Sequence, residues 1–331
     1  MKLLIIGGTG TISSAVVKRA LEKGIDITVL NRGNRELPKG VRQIAADMRD
    51  EKAAAAALKG ESFDVVADFI TFTKEQAAQG IRLFKGRCKQ YLFISSATVY
   101  QKPPKTLFVS EGTPLCNPFS EYANNKIICE NEFMQAYRDA GFPITIVRPS
   151  YTYGDGHLPF VFNSHKSRYA LISRLKRGKP IIVPGDGSIF WTITHASDFA
   201  HAFVGLMGRM DAVGHAFHIT SDECHTWDDF AHIIADTLNV KVAIEHISTD
   251  TICRFIPGEY DAQTGDKAQT AVFDNAKIKA FVPDFVCTTP FAEGIQGCIR
   301  YFEENPDKRV EDPEWDALVD EMIEKSRSVK P

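Results

Sequence analysis

Leu3-Leu4-Ile5-Ile6-Gly7-Gly8-Thr9-Gly10-Thr11-Ile12-Ser13 decides the fold. Four consecutive apolar residues read as a strand buried on both faces. The glycines that follow let the backbone turn tightly and come close to a pyrophosphate. The helix opening next offers free N–H groups and a positive dipole end. A glycine-rich turn alone is common. Here a strand precedes it and an amphipathic run at 13–23 follows, the context that marks a dinucleotide cradle. Ser13 stands at the third small position, where its size still permits close helix–sheet packing.

The same alternation continues outward. Residues 25–30, 65–70, 91–94 and 144–147 read as strands, and a helix runs from near Tyr122 to about Asp139 before stopping at Gly141. The pattern predicts an α/β fold: a Rossmann, doubly wound parallel sheet with a smaller C-terminal α/β substrate lobe. Residues 1–153, with a return segment at about 190–221, form the dinucleotide-binding domain on this reading. Residues 154–189 and 222–331 form the substrate lobe, with helices near 227–238 and 290–305. The charged tail after Pro306 ends in an amphipathic helix around 315–325. It reads as solvated, or else as a contact with a second subunit, which leaves a homodimer open.

The 331 residues suit a two-lobed molecule. A net charge of -3 gives no electrostatic reason to sit on nucleic acid, so no such partner is expected. Seven scattered cysteines with no C-x-x-C pair read as reduced thiols in a cytoplasmic setting. No signal peptide is read, because the apolar run 3–6 breaks at once into glycine, and no run approaches the roughly 20 apolar residues of a membrane span. His215, His218, Cys224 and His225 cluster in sequence but alternate with apolar residues as a strand would, so no metal is expected. Cys116 and Cys129 read as packing residues.

The end of the second strand bears on the cofactor, NAD or NADP. An acidic residue there would bind the ribose hydroxyls. Asn31-Arg32 stand there instead, with Arg35 close by, and Arg32 can pair with a 2′-phosphate, which favours NADP. Asp47, after the third strand, is placed to meet the adenine amino group.

Tyr122 and Lys126 lie four residues apart on one helix face. An ammonium near a phenol favours the phenolate and lowers its pKa, and such a tyrosine can remove or return a hydroxyl proton. Ser95-Ser96 end a strand at the carboxyl edge, where α/β sheets place their ligands.

Together these motifs resemble an extended short-chain dehydrogenase/reductase of the NAD-dependent epimerase/dehydratase family. The likeness runs through Gly7–Ser13, Asp47, the stretch 95–100, 122–126, Arg148-Pro149, Gly185-Asp186-Gly187 and 195–200. The stretch 95–100, Ser-Ser-Ala-Thr-Val-Tyr, is similar to that of UDP-galactose 4-epimerases. The Asn-Arg-Gly run at 31–33 and a short 68–91 segment resemble the sub-branch that includes chloroplast stem-loop-binding proteins.

The resemblance implies Tyr122 as acid/base, Lys126 as the residue that holds the nicotinamide ribose and tunes Tyr122, and Ser96 as the group that binds the reacting oxygen. It implies a cofactor site of Gly7, Thr9, Gly10, Thr11, Ile12, Asn31, Arg32, Asp47, Met48 and Phe69 with Tyr122 and Lys126. Ser96, Thr98, Tyr151 and Trp191 would meet a small, sugar-like substrate.

Three departures stand out. Ala97-Thr98 replace the Asp-Glu pair of dehydratases, which disfavours dehydration. Trp191 stands at one diphosphate-gripping arginine, and Gln263, before Gly265-Asp266, at the other. Lys267 or Arg254 would have to compensate. The reading is therefore an NAD(P)-dependent epimerase or oxidoreductase acting on a sugar through a transient ketone. The alternative is a dinucleotide-sensing or RNA-binding Rossmann protein without turnover.

Overall fold

The computed structural model describes residues 1–329. Strands β1 (Lys2–Ile6), β2 (Asp26–Asn31), β3 (Arg42–Ala45), β4 (Phe63–Asp68), β5 (Cys88–Ile94), β6 (Ile144–Pro149) and β7 (Ala216–Ile219) build one sheet. All pair in parallel, in the order β7-β6-β5-β4-β1-β2-β3. Helices α1 (Thr11–Glu22), α2 (Glu51–Ala57), α3 (Lys74–Phe84), α4 (Glu121–Ala140) and α5 (Ala196–Leu206) cover it.

The period-two geometry of β1 explains its unbroken apolar run. Leu3 and Ile5 pack with Val16 and Val17 of α1 and Phe199 and Phe203 of α5. Leu4 and Ile6 pack on the other side with Ala54, Ala77, Cys129 and Phe133 of α2, α3 and α4. The strand order reverses between β1 and β4, and a crevice opens outside their carboxyl ends there. Local signals set the element ends. Gly141 closes α4 at φ 64°, a left-handed conformation that glycine adopts without steric cost. Gly8, at φ +82°, would bring a Cβ to 2.8 Å from Val29 Cγ1, so only hydrogen fits.

β4 ends at Asp68, two residues before the sequence reading placed its end. The buried Asp68 carboxylate turns the chain by accepting hydrogen bonds from the Ile70 and Thr71 N–H groups, the Thr71 hydroxyl and the Tyr91 hydroxyl. The short segment that follows retains α3 as an 11-residue helix, held by reciprocal bonds between Thr73 and Gln76.

A second apolar core gathers Phe160, Leu171, Trp191, Trp227, Phe291 and Phe302. The chain crosses between the cores in both directions. Ile278, Val282 and Phe285 pack against the sheet, while Tyr100 and Val109 pack in the second core.

The C-terminal helix Pro313–Val329 corrects the reading of a solvated tail. Trp315, Val319, Met322 and Ile323 recur at helical spacing and are buried in the second core. Arg174, fully buried, reaches Asp316 at 2.7 Å and Asp320 at 2.6 Å on its polar side, and Lys179 bonds both carboxylates. No helix among the described residues is long and apolar enough to cross a membrane.

Met322 is fully buried, so Met322→Ala should cost about 2–4 kcal/mol. Urea denaturation followed by circular dichroism measures it. An unchanged midpoint would return the tail to solvent.

Candidate active site

At the carboxyl ends of β1 and β2 lies a cleft of about 480 Å³, lined by Gly7, Thr9, Asn31, Arg32, Asp47, Met48, Arg49, Thr71, Gln76 and Gln79. A second stretch of cleft, about 430 Å³, follows Gly7–Ser13 past Phe69 to Tyr122 and Lys126. Every residue assigned to the cofactor from the sequence lies along one of these two stretches. The cradle suits a dinucleotide on its own chemistry. The N-cap of α1 is Gly10, which has no side chain, and the first turn carries no acidic residue, so nothing negative competes for the helix N-terminus.

Asn31 and Arg35 brace this loop. The Asn31 Oδ1 accepts from Gly33 N at 2.9 Å and Gln43 Nε2 at 2.8 Å, and the Arg35 guanidinium donates to Thr9 O at 2.8 Å. Arg49 joins Arg32 in the cleft wall. Sequence reading passed over Arg49, although it stands two residues after Asp47.

Helix α4 carries Tyr122, Lys126 and Glu130 at four-residue steps, so all three share one face. Ser120 caps the helix by accepting from Ala123 N at 3.0 Å. The Lys126 ammonium is buried and donates to Thr71 O at 2.8 Å and Ile94 O at 2.9 Å. Burial pushes its pKa below the ordinary lysine value, opposed by Asp68. An ammonium has three protons, so two carbonyls leave one for the cleft.

The two serines divide the work. Ser95 donates to Glu130 Oε1 at 2.5 Å. Glu130 also accepts from Arg148 Nε at 2.9 Å and Nη2 at 2.6 Å. Arg148 lies 4.9 Å over the Tyr100 ring, and the Tyr100 hydroxyl meets His218 Nδ1 at 3.0 Å. His218 is thus a buried network member, with its Nε2 on Asp274 O. Ser96 instead faces the cleft and Tyr122, and its oxygen accepts from the Thr98 hydroxyl at 2.7 Å.

Tyr122 departs from expectation. Its ring is 41% exposed to the cleft, yet burial around the hydroxyl raises its pKa, with Asp266 and Asp261 adding to the rise and the Ser96 hydrogen bond opposing it. The proximity of Lys126 was expected to lower that pKa. The ammonium instead donates to two backbone carbonyls, and burial holds the phenol above its ordinary value.

A third cleft of about 370 Å³ opens between the sheet and the second lobe. Ser96, Thr98, Tyr122, Tyr151 and Trp191 line it, together with Lys102, Asp261, Asp266 and Lys267. The Asp261 carboxylate accepts from the Ser120 hydroxyl at 2.6 Å and from Tyr122 N at 3.2 Å, so the second lobe grips the start of α4.

Trp191 is a wall. It is 3% exposed, packed on Trp227 at 5.5 Å and edge-on to Tyr151, and its indole N–H has no hydrogen-bond partner among the described residues. Gln263 is fully buried and donates to Val161 O and Glu259 Oε2, outside the cleft lining, as is Arg254. Of the two substitutes for a clamp, only Lys267 reaches the cleft. Cys129 is buried as expected, whereas Cys116 is exposed, because its loop lies over the surface.

A parallel sheet reversing at a glycine cradle, with Ser96, Tyr122 and Lys126 beside it, is the arrangement of an extended short-chain dehydrogenase/reductase. The chain belongs to the NAD dependent epimerase/dehydratase family, whose profile matches residues 3–220. It is 26% identical over 249 residues to the chloroplast stem-loop binding protein of 41 kDa b of Arabidopsis thaliana, covering 71% of this chain and 62% of the relative. It is 26% identical over 234 residues to 2'-dehydrokanamycin reductase of Streptomyces kanamyceticus, covering 69% and 64%. The chain thus spans slightly under two thirds of the length of these relatives. In fold it is similar to UDP-glucose 4-epimerase from Bifidobacterium longum in complex with NAD+ and UDP. The TM-score is 0.74 at 17% identity, over 93% of this chain and 100% of that one.

Asp261 places a negative charge against Tyr122 and contributes to its raised pKa. Asp261→Asn should therefore ease ionisation of the phenol. The pH at which the rate of alcohol oxidation reaches half its maximum should move down. A midpoint that stays in place or rises would show that Asp261 acts only as a clasp.

Proposed function

We propose that this protein is an NAD(P)-dependent epimerase or oxidoreductase acting on a sugar or similarly hydroxylated molecule through Ser96, Tyr122 and Lys126. One observation carries the reading: Tyr122 lines both the cleft beside the glycine loop and the cleft between the lobes. A phenol there can touch a substrate hydroxyl whose carbon faces the cofactor side.

When bound, the nicotinamide supplies the acceptor and donor of a hydride. The chain supplies the proton path and the geometry. Tyr122, as phenolate, takes the proton of the substrate hydroxyl, and as phenol it returns that proton to the ketone oxygen. Ser96 donates a hydrogen bond to the same oxygen and holds it against Tyr122. Lys126, with two protons fixed on Thr71 and Ile94 carbonyls, directs its third toward the cofactor cleft. The apolar wall of Tyr151, Trp191 and Phe273 limits water at the ketone. Ala97 and Thr98 follow Ser96, so no carboxylate stands there to drive elimination. One passage gives net redox. Turning the ketone over before the second passage gives epimerisation. The relatives support this chemistry through their names, one a reductase and one an epimerase.

For the cofactor, Arg32 and Arg49 in the adenosine stretch of the cleft support NADP. Neither Asn31 nor Arg32 would repel a 2′-phosphate, and two guanidiniums can pair with it.

Tyr122→Phe removes only a hydroxyl. Turnover should fall by about 10²–10⁴-fold while dinucleotide affinity stays within a few-fold of the parent. Steady-state kinetics and cofactor titration measure both. A variant that keeps the parent rate would remove Tyr122 from the proton path, and a parent that binds dinucleotide without turnover would favour a binding protein.

Arg32→Ala and Arg49→Ala should each weaken NADP by roughly tenfold, with a smaller effect on NAD. Titration of both cofactors against the three proteins tests it. Equal losses, or a parent that prefers NAD, would make these arginines surface charges only.

A further inference from the structure

The lobe cleft contains a lysine that neither the family motifs nor the proton path accounts for. Lys102 is 7% exposed and lines the cleft, and its ammonium has no hydrogen bond or ion pair among the described residues. A buried charge without a partner is costly unless a ligand completes it. The other charged groups of the cleft are already engaged. Lys267 is 3.6 Å from Asp266 and lies over the Tyr151 ring at 5.0 Å. Asp261 is held by Ser120 and the Tyr122 N–H. Burial lowers the pKa of Lys102, opposed by Asp266. The Trp191 ring lines the same cleft, with its indole N–H buried inside the wall.

We propose, resting on the reading of this site as one for a hydroxylated sugar, that the substrate is a sugar acid whose carboxylate is seated by the Lys102 ammonium, without a nucleotide. One ammonium without a hydrogen-bonded partner matches the single charge of one carboxylate. A neutral sugar would leave that ammonium without an ionic partner at hydrogen-bond distance. A diphosphate would bring at least two charges to a cleft with one free cation among its described residues and no arginine in its lining. The cleft volume of about 370 Å³ lies at the low end of the roughly 300–1,000 Å³ found for ligand sites. That suits a monosaccharide better than a nucleotide sugar.

The test is calorimetry on the full chain loaded with its dinucleotide, using D-glucuronate and D-galacturonate, their neutral counterparts D-glucose and D-galactose, and UDP. A uronate should bind at least about tenfold more tightly than its neutral counterpart and than UDP. Lys102→Met keeps the buried stem and removes the charge. It should abolish that preference, with a loss of about ten- to a hundredfold for the uronate and little change for the neutral sugar. Lys102→Gln keeps a polar end without the charge, and should lose the same preference. It provides an independent variant if Lys102→Met does not fold, as judged by circular dichroism. A uronate preference that persists in the variants overturns the proposal, as does tighter binding of UDP. Neutral sugars that bind and turn over where uronates do not would overturn the carboxylate seat and leave the sugar enzyme standing. Failure of every sugar to bind would overturn both.

Discussion

The ion pair between Glu130 and Arg148 sets the position of everything above it. Their side chains are 3% and 5% exposed, so two charges have left water at a cost of several kcal/mol each. Two hydrogen bonds between them, the Ser95 hydroxyl and the face of Tyr100 offset that cost. The geometry ties one turn of α4 to the ends of β5 and β6. It thereby fixes the rotation of the helix about its axis. With Glu130 pinned inward, Lys126 one turn earlier meets the Thr71 and Ile94 carbonyls, and Tyr122 another turn earlier stands in the cleft. The adjacent serines follow from the same constraint. Strand geometry sends neighbours to opposite sides, so with Ser95 committed below, Ser96 faces the site.

Much of this could be read from the sequence because the deciding signals are local. The apolar run of β1, the glycines after it and the stop at Gly141 each act within a few residues of where they stand. Tyr122, Lys126 and Ser96 are recognisable for the same reason. What escaped depends on distant chain. Phe69 and Ile70 looked like strand, since nothing in their neighbourhood reveals that the Asp68 carboxylate, bonded by Tyr91, will turn the chain there. Lys102 sits in a loop and Asp261 in a single short helical turn, neither with a periodicity to mark it, and their shared cleft exists only because the chain returns some 160 residues later. At Gln263 the absence of a clamp arginine is plain in the sequence, but not that its amide turns to Val161 O and Glu259. The C-terminal helix was legible in part. Trp315, Val319 and Met322 mark an apolar stripe, but a stripe does not reveal which surface it covers. The buried cation that takes up Asp316 and Asp320, Arg174, lies about 140 residues upstream.

The division of labour in the lobe cleft has a consequence for how such a molecule can change over generations. The proposed proton path is written in one compact stretch, from Ser96 to Lys126, and is held by Glu130 and Arg148. The opposite wall is written elsewhere, in Trp191 and in the segment that carries Asp261, Asp266 and Lys267. That segment meets α4 at its first turn, through Asp261 and through the packing of Gly265 against Ser120. Mutation can therefore redraw what the wall accepts while leaving the chemistry opposite it unchanged. A lineage built this way can explore new metabolites by small steps, each of which still folds and still turns over.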